Sequence, residues 1–272
     1  MAASWTAQLP ALAAYLTTAQ MAAAALAAPE VAQTADVPPA RVVPAAFAGI
    51  ASDGRSLAGL LFAPTFVVIT ALSLHHVAHK RALAAGAAAL DMIVRTQVAD
   101  AHRVATGVAI AATPQLAGYE RVVHLPACGR CIVLAGRLHR WSQGFTRHPR
   151  CDCTMVPVTH AQFRETNLDN HPRALFDKMD EVQQAKAFTA AGAQAFRDGA
   201  DISQVVNARQ GMNKAGQVQV TTSGVTRRGT AGKRLGVPRG GSAVRLMPES
   251  IYAASSSRAE AVAMLRQHGY IL

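Results

Sequence analysis

The four cysteines of this 272-residue chain all lie in one short stretch, between Cys128 and Cys153. Two residues separate Cys128 from Cys131, one residue separates Cys151 from Cys153, and His148 precedes the second pair. A two-residue gap allows two thiolates on one tight turn to bind the same tetrahedral zinc ion. The His-x-x-Cys spacing at 148 and 151 also suits a metal. The stretch therefore predicts a structural zinc site whose ligands come from these five residues.

The second cysteine pair departs from the usual two-plus-two pattern, because it has a single intervening residue. Residues i and i+2 of an extended strand share a face but stand too far apart to bind one ion. We therefore expect a turn at residues 151–153, or one sulfur that is not a ligand. His148 is the natural substitute, and the proline that follows it restricts its backbone to an extended conformation.

Disulfides, buried thiols and a catalytic cysteine are the alternatives to a metal. Residues 1–10 lack a basic segment before an apolar run, so no signal peptide is expected and the thiols should stay reduced. Six arginines from Arg121 to Arg150 would favour a reactive thiolate. Metal-like pairing, however, accounts for all four cysteines at once.

The residues around the cysteines suggest how the site is positioned. Segments 138–141 and 145–148 are predicted to form a β-hairpin through Ser142, Gln143 and Gly144, since glycine suits the left-handed position of such a turn. Before them, apolar residues recur every three or four positions across 82–110, which is typical of an amphipathic helix. We expect this helix to dock on the cysteine module.

The same stretch carries a resemblance to a known family. A C-x-x-C pair, an Arg/Trp-rich hairpin and then H-P-R-C-D-C resemble the minor head protein family of tailed bacteriophages, typified by the F protein of phage Mu, and particularly its versions in phages of actinobacteria. Segments 90–100, 197–208 and 245–252 fit the same family, so the resemblance covers roughly residues 60–272. It implies a low-copy structural component of the head interior or portal vicinity, present in the host cytoplasm during assembly. The implied partners are portal and major capsid or scaffold proteins.

Two other functions compete with a structural role. The first is a capsid maturation protease, but the sequence contains neither a G-x-S-x-G elbow nor an H-E-x-x-H zinc helix, which favours a non-enzymatic role. The second is a zinc-dependent DNA-binding protein. Thr189 and Asp201 can cap two short helices around Gly199, and such a pair can read DNA, although most are only structural.

The charge distribution predicts an acidic partner. The net charge is +11, of which residues 119–160 carry +4 and residues 201–272 carry +7. A glycine-rich segment near the end of the chain lacks the first glycine and the Ser/Thr of a nucleotide-binding loop. We expect it to be pliable and to contact double-stranded DNA without sequence preference. The predicted contacts are Arg227, Arg228, Lys233, Arg234 and Arg239.

Composition favours helices packed closely through alanine, because half of the residues are hydrophobic but only 5% are aromatic. The prediction is a mainly α fold with a helical N-terminal part, a small Cys/His-clamped β-hairpin module and an α-rich C-terminal part with minor β structure. Expected regions are 1–63 (alanine-rich helix and Pro-rich connection), 64–118 (long helical region), 119–160 (zinc module) and 161–272 (basic region). The apolar run at 57–74 contains Pro64 and is interpreted as a buried helix, so no membrane partner is expected.

Overall fold

A computed structural model describes residues 2–149, 151–164, 170–241 and 243–272; Arg150 of the predicted module lies outside this part. Helices make up 56% and strands 11% of the described residues, which confirms the mainly α prediction. The chain divides into two compact units. The first consists of Met1–Val122 and Arg137–Thr166, and the second of Val123–Gly136 and Asn167–Leu272.

In its described part, the first unit contains three long helices and a three-stranded antiparallel sheet. These elements are α1 (Ala2–Ala35), α2 (Leu57–Ser73), α3 (His79–Ala111), β1 (Leu116–Val122), β2 (Leu138–Arg140) and β3 (Thr154–Thr159), with 3₁₀ turns at Pro44–Phe47 and Gln162–Arg164.

Alanine side chains allow α1 and α3 to pack closely. Ala27 and Ala105 are completely buried where the two helices meet. The sequence predicts that the first helix ends before Pro29, but α1 continues through this proline to Ala35. A proline inside a helix removes one backbone hydrogen bond. Burial of Val31, two residues further on, offsets that loss.

Helix α2 is only half buried, whereas a buried helix is expected after Pro64. It starts at Leu57, where the hydroxyl of Ser56 accepts a hydrogen bond from the Gly59 amide, and it runs through the proline. Leu61 is completely buried, whereas Phe66 on the other face is 61% exposed. The capping serine fixes the start of the helix seven residues earlier than the proline suggests.

Two helices of the described chain, α1 and α3, are long and apolar enough to span a membrane. Both also pack against each other within the first unit. Length and composition carry little weight for so few helices, because the core helix of a globular protein meets the same criterion.

The sheet of the first unit has the order β2-β1-β3, with β1 in the centre. Within the described residues no strand occurs at 145–148, so the predicted hairpin partner is wrong: β2 pairs with β1, Tyr119 opposite His139. Gly118 permits this approach, because a Cβ there would lie 1.9 Å from the His139 carbonyl oxygen. Phe145 instead packs its ring against Tyr119, with centroids 5.9 Å apart.

The second unit consists of short helices and a second antiparallel sheet of order β4-β5-β6. Its described elements are α4 (Gly129–Val133), α5 (Pro172–Asp177), α6 (Glu181–Phe188), α7 (Ala190–Arg197), α8 (Ile202–Ala208), β4 (Met212–Ala215), β5 (Val218–Thr221), α9 (Thr230–Arg234), β6 (Arg245–Leu246), α10 (Pro248–Ala254) and α11 (Arg258–Gln267), with a 3₁₀ turn at Arg209–Gly211.

The predicted helix pair is present, with the expected caps. The Thr189 hydroxyl accepts from the Gly192 amide and the Asp201 carboxylate from the Gln204 amide. Gly199 lies between the helices at φ +97°, a conformation that glycine adopts without strain. Local sequence signals are sufficient here because each cap satisfies amides of its own helix.

A buried carboxylate joins this helix pair to the C-terminal helices. The side chain of Asp198, at the end of α7, is completely buried and accepts hydrogen bonds from Tyr252 Oη at 2.6 Å and Arg258 Nε at 2.7 Å. Burial opposes its ionisation, but the hydrogen bonds from Tyr252, Arg258 and Gln194 hold its pKa below the usual value. Segments 197–208 and 245–252, both part of the family resemblance, therefore meet in the core of this unit.

We predict that Asp198→Asn destabilises the protein by about 2 kcal/mol, because hydrogen bonds to a buried charged group contribute more than neutral ones. Denaturant unfolding followed by circular dichroism measures the change. Because the folded-state pKa is depressed, the contribution is complete above about pH 4 and is lost as the pH falls through the depressed value. The wild type and the variant should therefore converge in stability in acid.

Asp177→Asn is the matched control, since Asp177 forms an exposed ion pair with Arg173 at 3.1 Å on α5. Exposed pairs contribute little, so we expect a change below about 0.5 kcal/mol. Equal effects of the two substitutions on the free energy of unfolding would show that the buried carboxylate contributes no more to stability than the exposed one.

Candidate metal centre

The first cysteine pair lies at the start of a short helix. Cys128 is the N-cap residue of α4 and Cys131 lies in its first turn, 3% exposed. Gly129 allows the turn to pack closely on its neighbours, because a Cβ at this residue would lie 2.8 Å from the Ala187 carbonyl oxygen and 2.9 Å from the ring of Phe188. The glycine in C-G-R-C thus lets the turn that carries both sulfurs pack on α6.

The second pair immediately precedes β3. Cys151 and Cys153 are 4% and 2% exposed, and their carbonyl oxygens accept hydrogen bonds from Arg103 of α3. Arg103 Nε lies 3.0 Å from the Cys153 oxygen. The structure thus confirms that the long helix docks on the cysteine-bearing segment. A guanidinium is suited to this task because its donors point in fixed directions.

The predicted residues include a mostly buried Cys/His cluster that could hold a metal ion. Cys131, Cys151 and Cys153 are buried, whereas Cys128 and His148 are half-buried. The described cysteines form no disulfide.

The ring of His148 is oriented by its own backbone. Its Nδ1 lies 2.7 Å from the carbonyl oxygen of Pro149, and a carbonyl can only accept, so Nδ1 must carry the proton. In the neutral ring this tautomer carries its lone pair on Nε2, and the neutral imidazole is the form that binds a metal. Metal-binding histidines regularly donate a hydrogen bond from the ring nitrogen that does not bind the metal.

Buried arginines surround the second cysteine pair with positive charge. Arg121, 3% exposed, places Nη2 at 3.7 Å from Cys151 Sγ and donates from Nη1 to the Thr146 oxygen. Arg103 and Arg147 share one carboxylate, that of Asp100. The pKa of Arg103 and that of Arg147 both lie below the usual value, because the effect of burial outweighs the opposing effect of the nearby Cys151. A site with excess buried positive charge stabilises negative charge on sulfur.

The sequence reasoning missed these arginines as parts of the site. Arg121 and Arg147 belong to the arginine-rich stretch it noted, but Asp100 and Arg103 lie on α3, outside the motif. The feature that could have identified Asp100 and Arg103 is the presence of two charged residues on a helical face that is otherwise apolar and buried. Charged residues are rarely buried without partners, so this pattern points to a packed polar contact.

Trp141 follows β2 and stands at the edge of the segment that leads to the second pair. Its side chain is 57% exposed, and its amide donates to the Ala117 oxygen at 3.2 Å. With α3 it borders a groove of about 700 Å³ in the first unit.

The five predicted DNA contacts are not equivalent. Arg227, Arg228 and Lys233 line one open hollow of about 510 Å³ in the second unit. Arg234 donates instead to the backbone oxygens of Arg266, at 2.6 Å, and Ile271. Arg239 is exposed and does not belong to the lining.

The segment that carries these residues contains the short helix α9 and hydrogen-bonded turns. Gly229 donates to the Thr226 oxygen at 2.8 Å and accepts from the Lys233 amide at 2.9 Å. A Cβ on Gly232 would lie 2.0 Å from the Thr226 oxygen. The glycines here permit close backbone approach, which is a different use of glycine from flexibility.

Comparison of the chain with models of protein families, with curated proteins and with solved structures gave no match.

We predict that purified protein carries about one metal ion per chain, bound through thiolates in tetrahedral coordination. Cys131→Ser should reduce metal content more than Cys128→Ser, because Cys131 is the buried member of the C-x-x-C pair. Single Cys→Ser changes at the other three positions and His148→Asn then rank the donors. Elemental analysis of protein purified without chelator measures the content and identifies the metal.

His160→Asn is the control for His148→Asn, since His160 is exposed and lies outside the cysteine-bearing stretch 128–153. Wild-type protein without a stoichiometric metal would contradict the site. A Cys131→Ser variant that keeps its full metal content would show that the ligand assignment is wrong.

Proposed function

We propose that this chain is a structural minor head protein of a tailed bacteriophage, acting inside the head or near the portal, with zinc as a structural ion. The observation that carries the proposal is the Cys/His cluster. The stretch with the family-like motif, C-x-x-C followed by H-P-R-C-D-C, is also the stretch that supplies a Cys/His cluster able to hold a metal ion.

The donor set supports zinc and a structural role. Thiolate and imidazole donors select zinc among the common divalent ions, whereas calcium and magnesium require oxygen ligands. Structural zinc sites are closed by protein ligands, and catalytic sites keep one position for water or substrate. Four cysteines and one histidine provide enough donors to fill a tetrahedral site. The ion would then stabilise the fold of the surrounding chain directly.

The partners proposed for the chain are the portal and the major capsid or scaffold proteins, together with double-stranded DNA without sequence preference. Support for the DNA contact comes from the basic C-terminal region, where Arg227, Arg228 and Lys233 lie around one hollow. Packaged DNA fills the head interior, so a protein in that place meets phosphate at high density.

The helix pair gives little support to the alternative of a sequence-specific DNA-binding protein. Arg209, the basic residue after α8, donates to the carboxylate of Glu249 at 2.5 Å and to the hydroxyl of Thr189 at 2.8 Å. Hydrogen bonds from Thr189 and Arg209 keep the pKa of Glu249 below its usual value in spite of burial. Arg209 is therefore engaged in holding the helix pair to α10, and its guanidinium is not presented to bases.

We predict that the purified chain sediments with phage heads, because a structural component binds its capsid partners without turnover. Co-sedimentation with purified heads, quantified by gel densitometry, measures this. The chain should leave scaffold and major capsid protein intact during incubation.

An unrelated basic protein of similar size serves as the control, since charge alone could attract it to the DNA-filled head. Specific cleavage of scaffold by the isolated chain, abolished by one substitution, would overturn the structural role in favour of the protease. Absence of co-sedimentation would contradict the proposed location.

We predict a DNA affinity that is similar for unrelated duplexes and falls steeply with salt, because the contact is to phosphates. The slope of log affinity against log salt reports the number of phosphates neutralised, about 0.9 for each. Replacing the five basic residues at 227, 228, 233, 234 and 239 with glutamine should flatten the slope and leave metal content unchanged. Fluorescence anisotropy with labelled duplexes measures both.

Lys178→Gln with Lys186→Gln is the control, since both lysines are exposed in the same unit but outside this segment. An equal loss in the control would assign binding to net charge. If the wild type shows no binding even at low salt, the positive charge serves a protein partner instead.

A further inference from the structure

Three cations of the second unit converge on a single concave surface. Arg227, Arg228 and Lys233 line the hollow of about 510 Å³ described above. The ion pairs found among the described residues involve none of these three side chains. Concentrated positive charge without a carboxylate partner raises the local potential and favours an anion. The rest of the lining offers no acidic group and consists of Gly232, Gly236 and Val237.

The shape of the hollow is fixed by close backbone packing. A Cβ at Gly229 would lie 2.5 Å from the Gly224 oxygen, so the chain crosses itself at this point. Ala231 is almost completely buried, and a Cβ at Gly269 would lie 2.8 Å from its Cα. These contacts hold α9, which carries Lys233, against the end of the chain. The origins of the cationic side chains are therefore fixed before any ligand binds, which reduces the entropy that binding costs.

Arg234 has a different role from its neighbour Lys233. Its Nη1 donates to the oxygens of Arg266, in the last turn of α11, and Ile271, the residue before the C-terminal leucine. Carbonyl oxygens at a helix C-terminus carry partial negative charge, which an arginine side chain stabilises. Arg234 thus ties α9 to the end of the chain through this nitrogen.

We propose that the hollow formed by Arg227, Arg228 and Lys233 is a site for one phosphate group, whereas Arg234 is a positioning residue that holds the site in place. Guanidinium forks match pairs of phosphate oxygens, and an ammonium adds a compact charge. This inference rests on the proposed DNA contact and assigns it to three of the five basic residues. The phosphate group belongs to a DNA backbone or to a free polyphosphate, and the experiment separates these sources.

The test compares the full-length wild type with three variants by fluorescence anisotropy on one duplex over a series of salt concentrations. A triple change, Arg227→Gln with Arg228→Gln and Lys233→Gln, should reduce the magnitude of the salt slope by about 0.9, the value for one phosphate. Arg239→Gln removes a nearby exposed charge outside the hollow and should leave the slope unchanged. Arg234→Gln should lower the melting temperature and leave the slope unchanged. Inorganic pyrophosphate should raise the melting temperature of the wild type but not that of the triple variant.

Each result bears on a separate part of the inference. A triple variant with the wild-type slope, or an Arg239→Gln variant with an equal loss, would overturn the site while the general DNA contact stands. DNA binding without a pyrophosphate effect supports a site for backbone phosphate, and the reverse supports a site for free polyphosphate. A wild type that responds to neither probe contradicts both the site and the DNA contact. An Arg234→Gln variant that loses slope but keeps its melting temperature would show that Arg234 itself contacts phosphate.

Discussion

The hydrogen bonds from Arg103 to the carbonyl oxygens of Cys151 and Cys153 are the constraint on which the cysteine-bearing segment of the first unit depends. The chain between β2 and β3 has no strand pairing of its own among the described residues, so side chains must satisfy its backbone. Arg121 contributes through the Thr146 oxygen, and its guanidinium lies 4.3 Å from the centre of the Phe145 ring. Buried arginines therefore replace a sheet ladder as the source of order in this segment.

Local signals in the sequence were sufficient to predict those elements whose backbone hydrogen bonds are satisfied within the element itself. The caps at Thr189 and Asp201 and the long helix α3 all follow from residues within a turn or two of each other. The spacing of the cysteines and His148 identified the cluster for a similar reason, since metal ligands are restricted in type and separation. Neither inference required knowledge of distant packing.

Features that depend on distant partners could not be predicted in the same way. Strand β1 crosses the boundary predicted between the helical region 64–118 and the zinc module 119–160, and it becomes the centre of a sheet because β2 and β3 pair with it from both sides. The five basic residues near the C-terminus share a local pattern but differ in partners. Only the position of α11 reveals that Arg234 donates a hydrogen bond to the Arg266 oxygen. Tertiary contacts override local preference in both cases.

The two tryptophans have a practical consequence, because both belong to the first unit. Trp5 is partly buried and donates from its indole nitrogen to the Leu61 oxygen at 3.1 Å, whereas Trp141 is mostly exposed beside the segment that leads to the second cysteine pair. Indole emission shifts to the red as the ring meets water, so the two rings emit at different wavelengths. Selectively excited tryptophan fluorescence therefore reports on the helical end and on the β2–β3 segment of one unit, whereas the sequence of the other unit contains no tryptophan.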